Sequence, residues 1–138
     1  MSGGVFTVRP IGHVRSTLVD PADAPRQGDE GAPPARIVVD PPLRPALGGL
    51  AVGSDVLVLT WLHRARRDTL TTRPRDDPDR PELGVFATRS PHRPNPIGLH
   101  RTRILALDDA EILVEHLEAV DGTPVLDLKP VLGPTSER

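Results

Sequence analysis

Residues 101–117 read RTRILALDDAEILVEHL and indicate the fold class. In Arg101–Leu107 and Glu111–Leu117 apolar residues alternate with polar ones, which predicts two strands because side chains alternate between the faces of a strand. The pair Asp108-Asp109 between them predicts a tight turn. The stretch is therefore expected to form an antiparallel hairpin.

Short apolar runs elsewhere predict more strands and little helix. The run Asp55–Leu62 is almost continuously apolar, which is typical of a strand buried on both faces. Other strands are predicted over Val5–Arg9, Arg36–Asp40, Gly84–Thr88 and Val125–Leu128, with one helical turn over Pro41–Leu50. About seven short strands with little helix predict a barrel or a sandwich.

The composition fits one soluble domain and excludes several kinds of site. With 17 prolines and 12 glycines in 138 residues, we expect short elements joined by long loops over Asp20–Pro34 and Arg64–Glu82. The absence of cysteine excludes disulfides and thiolate chemistry. No apolar run approaches the ~20 residues that span a bilayer, and Met1–Pro10 lacks signal-peptide features, so the cytoplasm is the expected compartment.

Charge is distributed unevenly along the chain. Residues 64–103 contain ten arginines and five acidic residues, although the whole chain has a formal net charge of −2. This stretch predicts one basic face, which is either solvated or turned toward an anionic partner such as nucleic acid. The three aromatic residues, Phe6, Trp61 and Phe86, are too few for a surface that stacks single-stranded bases.

The segment Gly84–Gly98, GVFATRSPHRPNPIG, combines stiffness with polar side chains. Its three prolines each fix φ and restrict the preceding residue, so the loop loses little entropy on ordering. The polar groups it carries are Thr88, Arg89, Ser90, His92, Arg93 and Asn95. Such a set suits recognition of a carboxylate, a phosphate or a base edge. The alternative is a rigid connection with solvated arginines.

The segment Asp121–Pro130, DGTPVLDLKP, predicts a tight turn followed by an edge strand. The chain contains no G-x-G-x-x-G, P-loop, H-E-x-x-H or G-x-S-x-G motif, so no Rossmann site, metal site or hydrolase elbow is predicted. From the residues alone, the sequence indicates an anion- or nucleotide-binding β-domain.

The segment Gly84–Gly98 also resembles the signature of the TrmO (TsaA-like) family, and the resemblance extends over essentially the whole chain. Segments similar to other family motifs follow in the same order: Ile11–Ser16, Pro25–Gln27, His63 and Asp121–Pro130. The resemblance implies a single-domain β-barrel of about seven short strands with long Pro-rich loops. It further implies a homodimer, with S-adenosylmethionine held near the subunit interface. The implied reaction is methylation of the exocyclic nitrogen of threonylcarbamoyl-adenosine in tRNA.

The same resemblance assigns the cofactor site by position. The expected cofactor contacts are Pro25, Arg26, Gln27, His63, Arg64, Arg89, Leu99, Asp121, Gly122, Thr123 and Pro124. Arg26 or Arg89 is expected to bind the methionine carboxylate, and the turn at Asp121 to offer backbone groups to adenine or ribose.

Catalytic and substrate-binding residues are also expected in these segments. Because a ureido nitrogen is a weak nucleophile, a nearby proton acceptor would help, and Asn95 and Asp127 are the candidates. Arg93 and Lys129 are the candidate substrate-binding residues. No metal is expected.

The chain departs from the family in ways that bear on the acceptor. It ends soon after Lys129, so a single domain over 1–138 is expected, without the C-terminal domain of longer members. Arg64, Leu57 and Val131 differ from the residues of other members, and Gly-Leu-His-Arg at 98–101 replaces a Gly-Met/Leu-Ser stretch. Two alternatives therefore stay open: a methyltransferase acting on a small molecule, and a non-catalytic nucleotide- or RNA-binding module.

Overall fold

The computed structural model of the protein describes residues 3–26 and 28–133, apart from the side chain of Arg75. Eight strands are present: β1 Gly12–Arg15, β2 Ala35–Val39, β3 Asp55–Trp61, β4 Thr71–Thr72, β5 Leu83–Gly84, β6 Ile97–Asp108, β7 Glu111–Val114 and β8 Pro124–Pro130. Six of them close into an antiparallel barrel in the order β1-β2-β7-β6-β3-β8, and β4 pairs with β5 in a separate ribbon. The predicted β-barrel is confirmed.

Short 3-10 turns complete the described part of the chain. They span Pro21–Asp23, Gly28–Glu30, Pro41–Leu47, Pro74–Asp76 and Val85–Ala87. The turn after β2 confirms the predicted helical turn, which ends at Leu47, directly before the Gly48-Gly49 pair that was expected to end it. No helix among residues 3–26 and 28–133 has both the length and the apolar character needed to cross a membrane.

The barrel interior is built almost entirely from aliphatic side chains. Val14, Ile37, Val58, Ile104 and Ile112 are all at most 1% exposed and belong to one continuous core. Inward and outward positions alternate along each strand of a small barrel, and the inward positions here are aliphatic, so aliphatic side chains fill the interior.

Strand β3 is buried on one face only, which corrects the prediction for Asp55–Leu62. Its buried positions, such as Val56 and Val58, alternate with half-buried ones. The half-buried positions include Leu57, Leu59 and Trp61, which lie on the outer face of the barrel. A continuous apolar run therefore marks a strand with an apolar outer surface as well as a core face.

The predicted hairpin at residues 101–117 is present, with its turn one residue later. Asp108 pairs with Glu111, so Asp109 and Ala110 form the turn, and Asp109 has a positive φ of 56°. Strand β7 ends at Val114 because the following segment leaves the β2 edge. There the N–H of Glu115 donates to the carbonyl of Arg103.

Two other predicted strands are wrong. Residues 3–10, including the predicted strand Val5–Arg9, have no strand partner among the described residues. In Gly84–Thr88 only Gly84 belongs to a strand, and the next three residues form a 3-10 turn that Thr88 closes by donating its hydroxyl to the Val85 carbonyl. The predicted loop Arg64–Glu82 contains β4 and a 3-10 turn.

Candidate functional site

The Pro-rich loop before β6 is fastened to the loop after β3. The N–H of Leu62 donates to the Pro96 carbonyl at 2.8 Å. The N–H of Arg66 donates to Nδ1 of His92 at 2.9 Å, and the Arg66 carbonyl accepts from the N–H of Arg93 at 3.1 Å. The stiffness expected from the prolines is thus combined with contacts that fix the loop's position.

Arg93 lies beneath this loop and holds its backbone. Its guanidinium donates to the carbonyls of Thr88 at 3.1 Å, Ser90 at 3.0 Å and Val85 at 2.7 Å. Arg93 therefore uses three donor contacts within the protein. Two of them bind the carbonyls of Thr88 and Ser90 and so fix the backbone on both sides of Arg89. The predicted role of Arg93 in binding substrate stays a prediction.

Arg67 orients Asn95, one of the two candidate proton acceptors. Its Nη2 donates to Oδ1 of Asn95 at 3.0 Å and its Nε to the Pro94 carbonyl at 2.7 Å. The same guanidinium lies 5.2 Å from the ring centroid of Trp61, a cation–π distance. Sequence reasoning missed Arg67, whose single signal was its place in an arginine-rich loop.

The turn at Asp121 is held against the segment after β1. A carboxylate oxygen of Asp121 accepts from the N–H of Ser16 at 2.9 Å, and its own N–H donates to the Leu18 carbonyl at 2.7 Å. Gly122 has a φ of 84°, which favours glycine, and its N–H donates to the Val14 carbonyl at 2.7 Å. The predicted cofactor turn is consequently rigid.

Thr123 contributes to this turn from within the protein. It is 1% exposed, and its hydroxyl donates to the Val120 carbonyl at 2.7 Å. Its hydroxyl is therefore satisfied internally, and the N–H groups of residues 121–123 are bonded as well. The turn can offer a ligand the carbonyls of Asp121 and Gly122 and the neighbouring Pro124, which is half-buried.

Arg64 joins a second predicted cofactor segment to the Asp121 turn. Its Nη1 donates to the Val19 carbonyl at 3.1 Å, and Val19 directly follows Leu18, which binds Asp121. His63 and Arg64 are both exposed. Two segments almost sixty positions apart in the sequence therefore meet around residues 16–19.

The two arginines predicted to bind a carboxylate differ in their surroundings. Arg26 is ion-paired with Asp76 at 2.8 Å, and this hydrogen bond holds the pKa of Asp76 below its ordinary value of 3.8. Arg89 is exposed and makes no hydrogen bond or ion pair with any described residue. No described residue therefore occupies the guanidinium of Arg89. Pro25 is half-buried, and Gln27 lies outside the described residues.

A strip on the outer face of the barrel brings Leu99 and Asp127 together. Leu59 of β3 lies opposite Leu99 of β6 on one side and opposite Asp127 of β8 on the other. Cross-strand neighbours lie about 5 Å apart, so Leu99 and Asp127 are separated by about 10 Å across the sheet. The carboxylate also contacts Nζ of Lys129 at 3.3 Å.

A buried polar chain lies directly beneath this strip. Oγ1 of Thr60 lies 2.7 Å from Nε2 of His100, and Nδ1 of His100 lies 2.5 Å from Oε1 of Glu118. Two glycines press against it. A Cβ on Gly98 would lie 2.3 Å from Oγ1 of Thr60, and one on Gly28 would lie 3.0 Å from Oε2 of Glu118.

Each end of this hydrogen-bonded series, Thr60–His100–Glu118, is next to a predicted cofactor segment. Gly98 precedes Leu99, Gly28 follows residues 25–27, and Glu118 lies three positions before Asp121. Sequence reasoning missed Thr60 and Glu118. For His100, just past Gly98, the sequence favours a hydrogen-bonded structural histidine over a catalyst, and its contacts with Thr60 and Glu118 agree with that. The one signal available was a histidine inside an apolar, alternating strand.

A polar cavity of about 290 Å³ lies at the other side of Glu118. Its lining residues are Gly28, Asp29, Asp55, Arg101, Thr102, Arg103, Glu115, His116 and Glu118. Hydrogen bonds from Arg101 and Arg103 hold the pKa of Asp55 below its ordinary value of 3.8. Within the described ranges no three histidine or acidic side chains are grouped so as to hold a metal ion.

Comparison with known proteins identifies close relatives of this chain. The family model for the N-terminal domain of tRNA-methyltransferase O matches residues 13–135. A crystal structure of TrmO from Pseudomonas aeruginosa is similar with a TM-score of 0.76 and 31% identity, covering 98% of this chain and 60% of that chain. This chain therefore spans about three-fifths of the length of that solved protein.

Two curated relatives extend the comparison. A probable S-adenosyl-L-methionine-binding protein of Methanothermobacter thermautotrophicus is 43% identical over 131 residues, which cover 94% of this chain and 93% of that protein. A putative S-adenosylmethionine-dependent methyltransferase of Pseudomonas aeruginosa is 39% identical over 130 residues, covering 90% of this chain and 56% of that protein.

Proposed function

Because the chain belongs to the TrmO family of S-adenosylmethionine-dependent methyltransferases, we propose that it methylates the exocyclic nitrogen of threonylcarbamoyl-adenosine in tRNA. The observation that carries this proposal is the junction of Arg64 and the Asp121 turn around residues 16–19. Both segments resemble family motifs that are expected to contact the cofactor, and a shared pocket requires such segments to be neighbours.

We infer that the cofactor's methionine carboxylate binds Arg89. The planar guanidinium of Arg89, whose donors contact no described residue, can bind a carboxylate in a bidentate way, whereas Arg26 already contacts Asp76. The Asp121 turn adds the backbone carbonyls of Asp121 and Gly122, whose N–H groups are already bonded, and Leu99 adds apolar surface. The residues present therefore fit a ligand that has a carboxylate at one end and a nucleoside at the other.

S-adenosylmethionine supplies an electrophilic methyl group on a positively charged sulfur. The chain's own contribution is then to orient the acceptor and to receive the proton that the nitrogen loses as the N–C bond forms and the C–S bond breaks. Asp127 suits the task of receiving the proton because it is exposed beside Leu59, which separates it from Leu99. Asn95 suits the task of orienting the acceptor, because Arg67 fixes the orientation of its amide.

The proposed partners are a second copy of the chain and tRNA. Ile97 and Leu99 are 46% and 43% exposed on the outer strip, the type of apolar surface that a homodimer covers. We place the cofactor next to this surface and therefore near the subunit interface. Exposed arginines on the loops after β3, among them Arg66 and Arg73, offer phosphate contacts to tRNA.

Mass spectrometry of tRNA nucleosides tests the proposed function in the cell. Strains with and without the gene are compared for methylated threonylcarbamoyl-adenosine. We expect the methylated nucleoside to disappear with the gene and to return with the wild-type gene, while an Arg89→Ala gene restores it poorly. Unchanged methylation in the deletion strain would contradict the tRNA assignment and favour a small-molecule acceptor.

A further inference from the structure

The N-terminal arm, residues 3–10, has the pattern of a strand but no partner for it. The arm runs without a turn or bend. None of its backbone groups bonds to a described residue, and the first tie to the barrel is the N–H of Ile11 donating to the Val125 carbonyl at 2.8 Å. Val5, Phe6 and Val8 are 98%, 83% and 62% exposed.

The arm is unlike a segment that stays in solvent. Such segments are typically polar, whereas residues 3–10 expose three large apolar side chains, and their backbone groups are unpaired among the described residues. Apolar residues that alternate with polar ones favour pairing with the edge of another sheet. The arm therefore has the chemistry of an added strand.

The ribbon formed by β4 and β5 offers the matching edge. The barrel is closed and has no free edge, so among the described strands these two alone have an unpaired side. Three large apolar residues of the ribbon region are exposed: Leu70 at 67%, Leu83 at 36% and Phe86 at 83%. A two-stranded ribbon by itself is marginally stable in water, and a third strand would strengthen it.

We propose that the arm of each subunit adds to the β4–β5 ribbon of a second copy, so that two arms are exchanged across a two-fold axis. The arm leaves the barrel beside Val125, which lies opposite Thr60 near the end of β3, and the ribbon follows that same end of β3. Residues 5–10 span about 20 Å when fully extended, enough to reach across an interface.

The area involved is that of a stable dimer. The three exposed arm side chains offer roughly 400 Å² in each subunit. Two reciprocal arms and the surfaces they cover then bury on the order of 1,600 Å², the size of a standard specific interface. A reciprocal exchange also closes the assembly at two subunits, because each arm and each ribbon is used once.

The arm exchange specifies how the subunits of the homodimer in the proposed function associate, and it rests on the presence of that dimer. Phe6→Ser removes an exposed side chain, so the fold of each subunit stays intact, and Val52→Ser is the matched control on an exposed turn outside the ribbon. Sedimentation equilibrium is expected to give a dimer for the wild type and Val52→Ser. Phe6→Ser is expected to dissociate at least tenfold more readily. A wild-type monomer, or equal dimerisation of Phe6→Ser and wild type, overturns the proposal.

Because the chain has no cysteine, disulfide trapping locates the arm directly. Leu83→Cys is combined in turn with cysteine at Val5, Thr7 or Arg9, since a disulfide needs Cα atoms about 4.4–6.8 Å apart. At least one pair is expected to give a covalent dimer on mild oxidation, whereas Val52→Cys with the same arm positions gives none. An arm-dependent dimer without any covalent product would overturn the ribbon as the docking surface. Calorimetry with S-adenosylhomocysteine on the same proteins tests separately whether they bind this cofactor product.

Discussion

His100 and Glu118 are joined inside the protein, with Nδ1 of the histidine 2.5 Å from Oε1 of the carboxylate. Their side chains are 5% and 15% exposed. An ionised carboxylate can only accept a hydrogen bond, and opposite an ionised Glu118 the donor is Nδ1 of His100. The contact ties β6, just after Leu99, to the segment that leads into the Asp121 turn.

Removing the carboxylate of Glu118 is expected to destabilise the fold by about 1–3 kcal/mol, because a buried imidazole N–H loses its acceptor. Glu118→Leu tests this, and Glu118→Gln is the control because its amide oxygen still accepts. Urea unfolding followed by circular dichroism measures both. Equal stability of the leucine and glutamine variants would mean that the contact contributes nothing to the fold.

Adding one methyl group at Gly98 is expected to cost about 1–3 kcal/mol. The new Cβ would lie 2.3 Å from Oγ1 of Thr60 and 2.7 Å from Nε2 of His100, neither of which has room to move inside the barrel. Gly84→Ala is the matched control, because its Cβ meets no atom within 4 Å and its φ is −63°. Thermal unfolding should separate the two variants, and similar midpoints would show that the interior tolerates the methyl group.

Asp55 is expected to make stability fall at acidic pH. Arg101 and Arg103 lower the pKa of its carboxyl from 3.8, so the folded state holds the ionised form more strongly than the unfolded state does. The contribution is present above pH 3.8 and is lost as pH falls through the lowered folded pKa. Asp55→Asn should flatten the stability curve below about pH 4. An unchanged curve would contradict the coupling.

Much of the barrel was predictable from local patterns, because alternation needs no knowledge of a partner. The hairpin at Asp109 is an example, with strand type and turn chemistry in agreement. The segment Val5–Arg9 has the same alternation, but alternation does not say which edge a strand will join. The strand predicted over Gly84–Thr88 was wrong because a short apolar run also suits a 3-10 turn, which here ends with a hydrogen bond from the Thr88 hydroxyl to the Val85 carbonyl.

The site was predictable in its segments but not in its contacts. The motifs pointed to Arg64 and Asp121, yet their meeting at residues 16–19 depends on how the barrel closes. Arg67 and Glu118 were missed because each acts across about twenty or more positions, on Asn95 and His100 respectively. From the sequence alone, a charged loop residue that contacts a partner cannot be told from one that is solvated.

Arg89→Ala is expected to weaken binding of S-adenosylhomocysteine by about 2–5 kcal/mol, because a carboxylate would lose its bidentate partner. Arg80→Ala is the control: this arginine is exposed and contacts Asp77 at 3.7 Å, a type of pair worth under about 1 kcal/mol. Isothermal titration calorimetry measures both affinities. Equal losses, or none, would mean that the carboxylate binds elsewhere.

Methyl transfer by the purified protein tests the proposed reaction most directly. Labelled S-adenosylmethionine is incubated with tRNA carrying threonylcarbamoyl-adenosine, with the same tRNA lacking that modification, and with small-molecule amines. We expect label in the modified tRNA alone, at the exocyclic nitrogen, and a strong reduction with Asp127→Asn. Label on a small molecule and none on tRNA would contradict the proposed acceptor, and no transfer to any of them would contradict the enzyme itself.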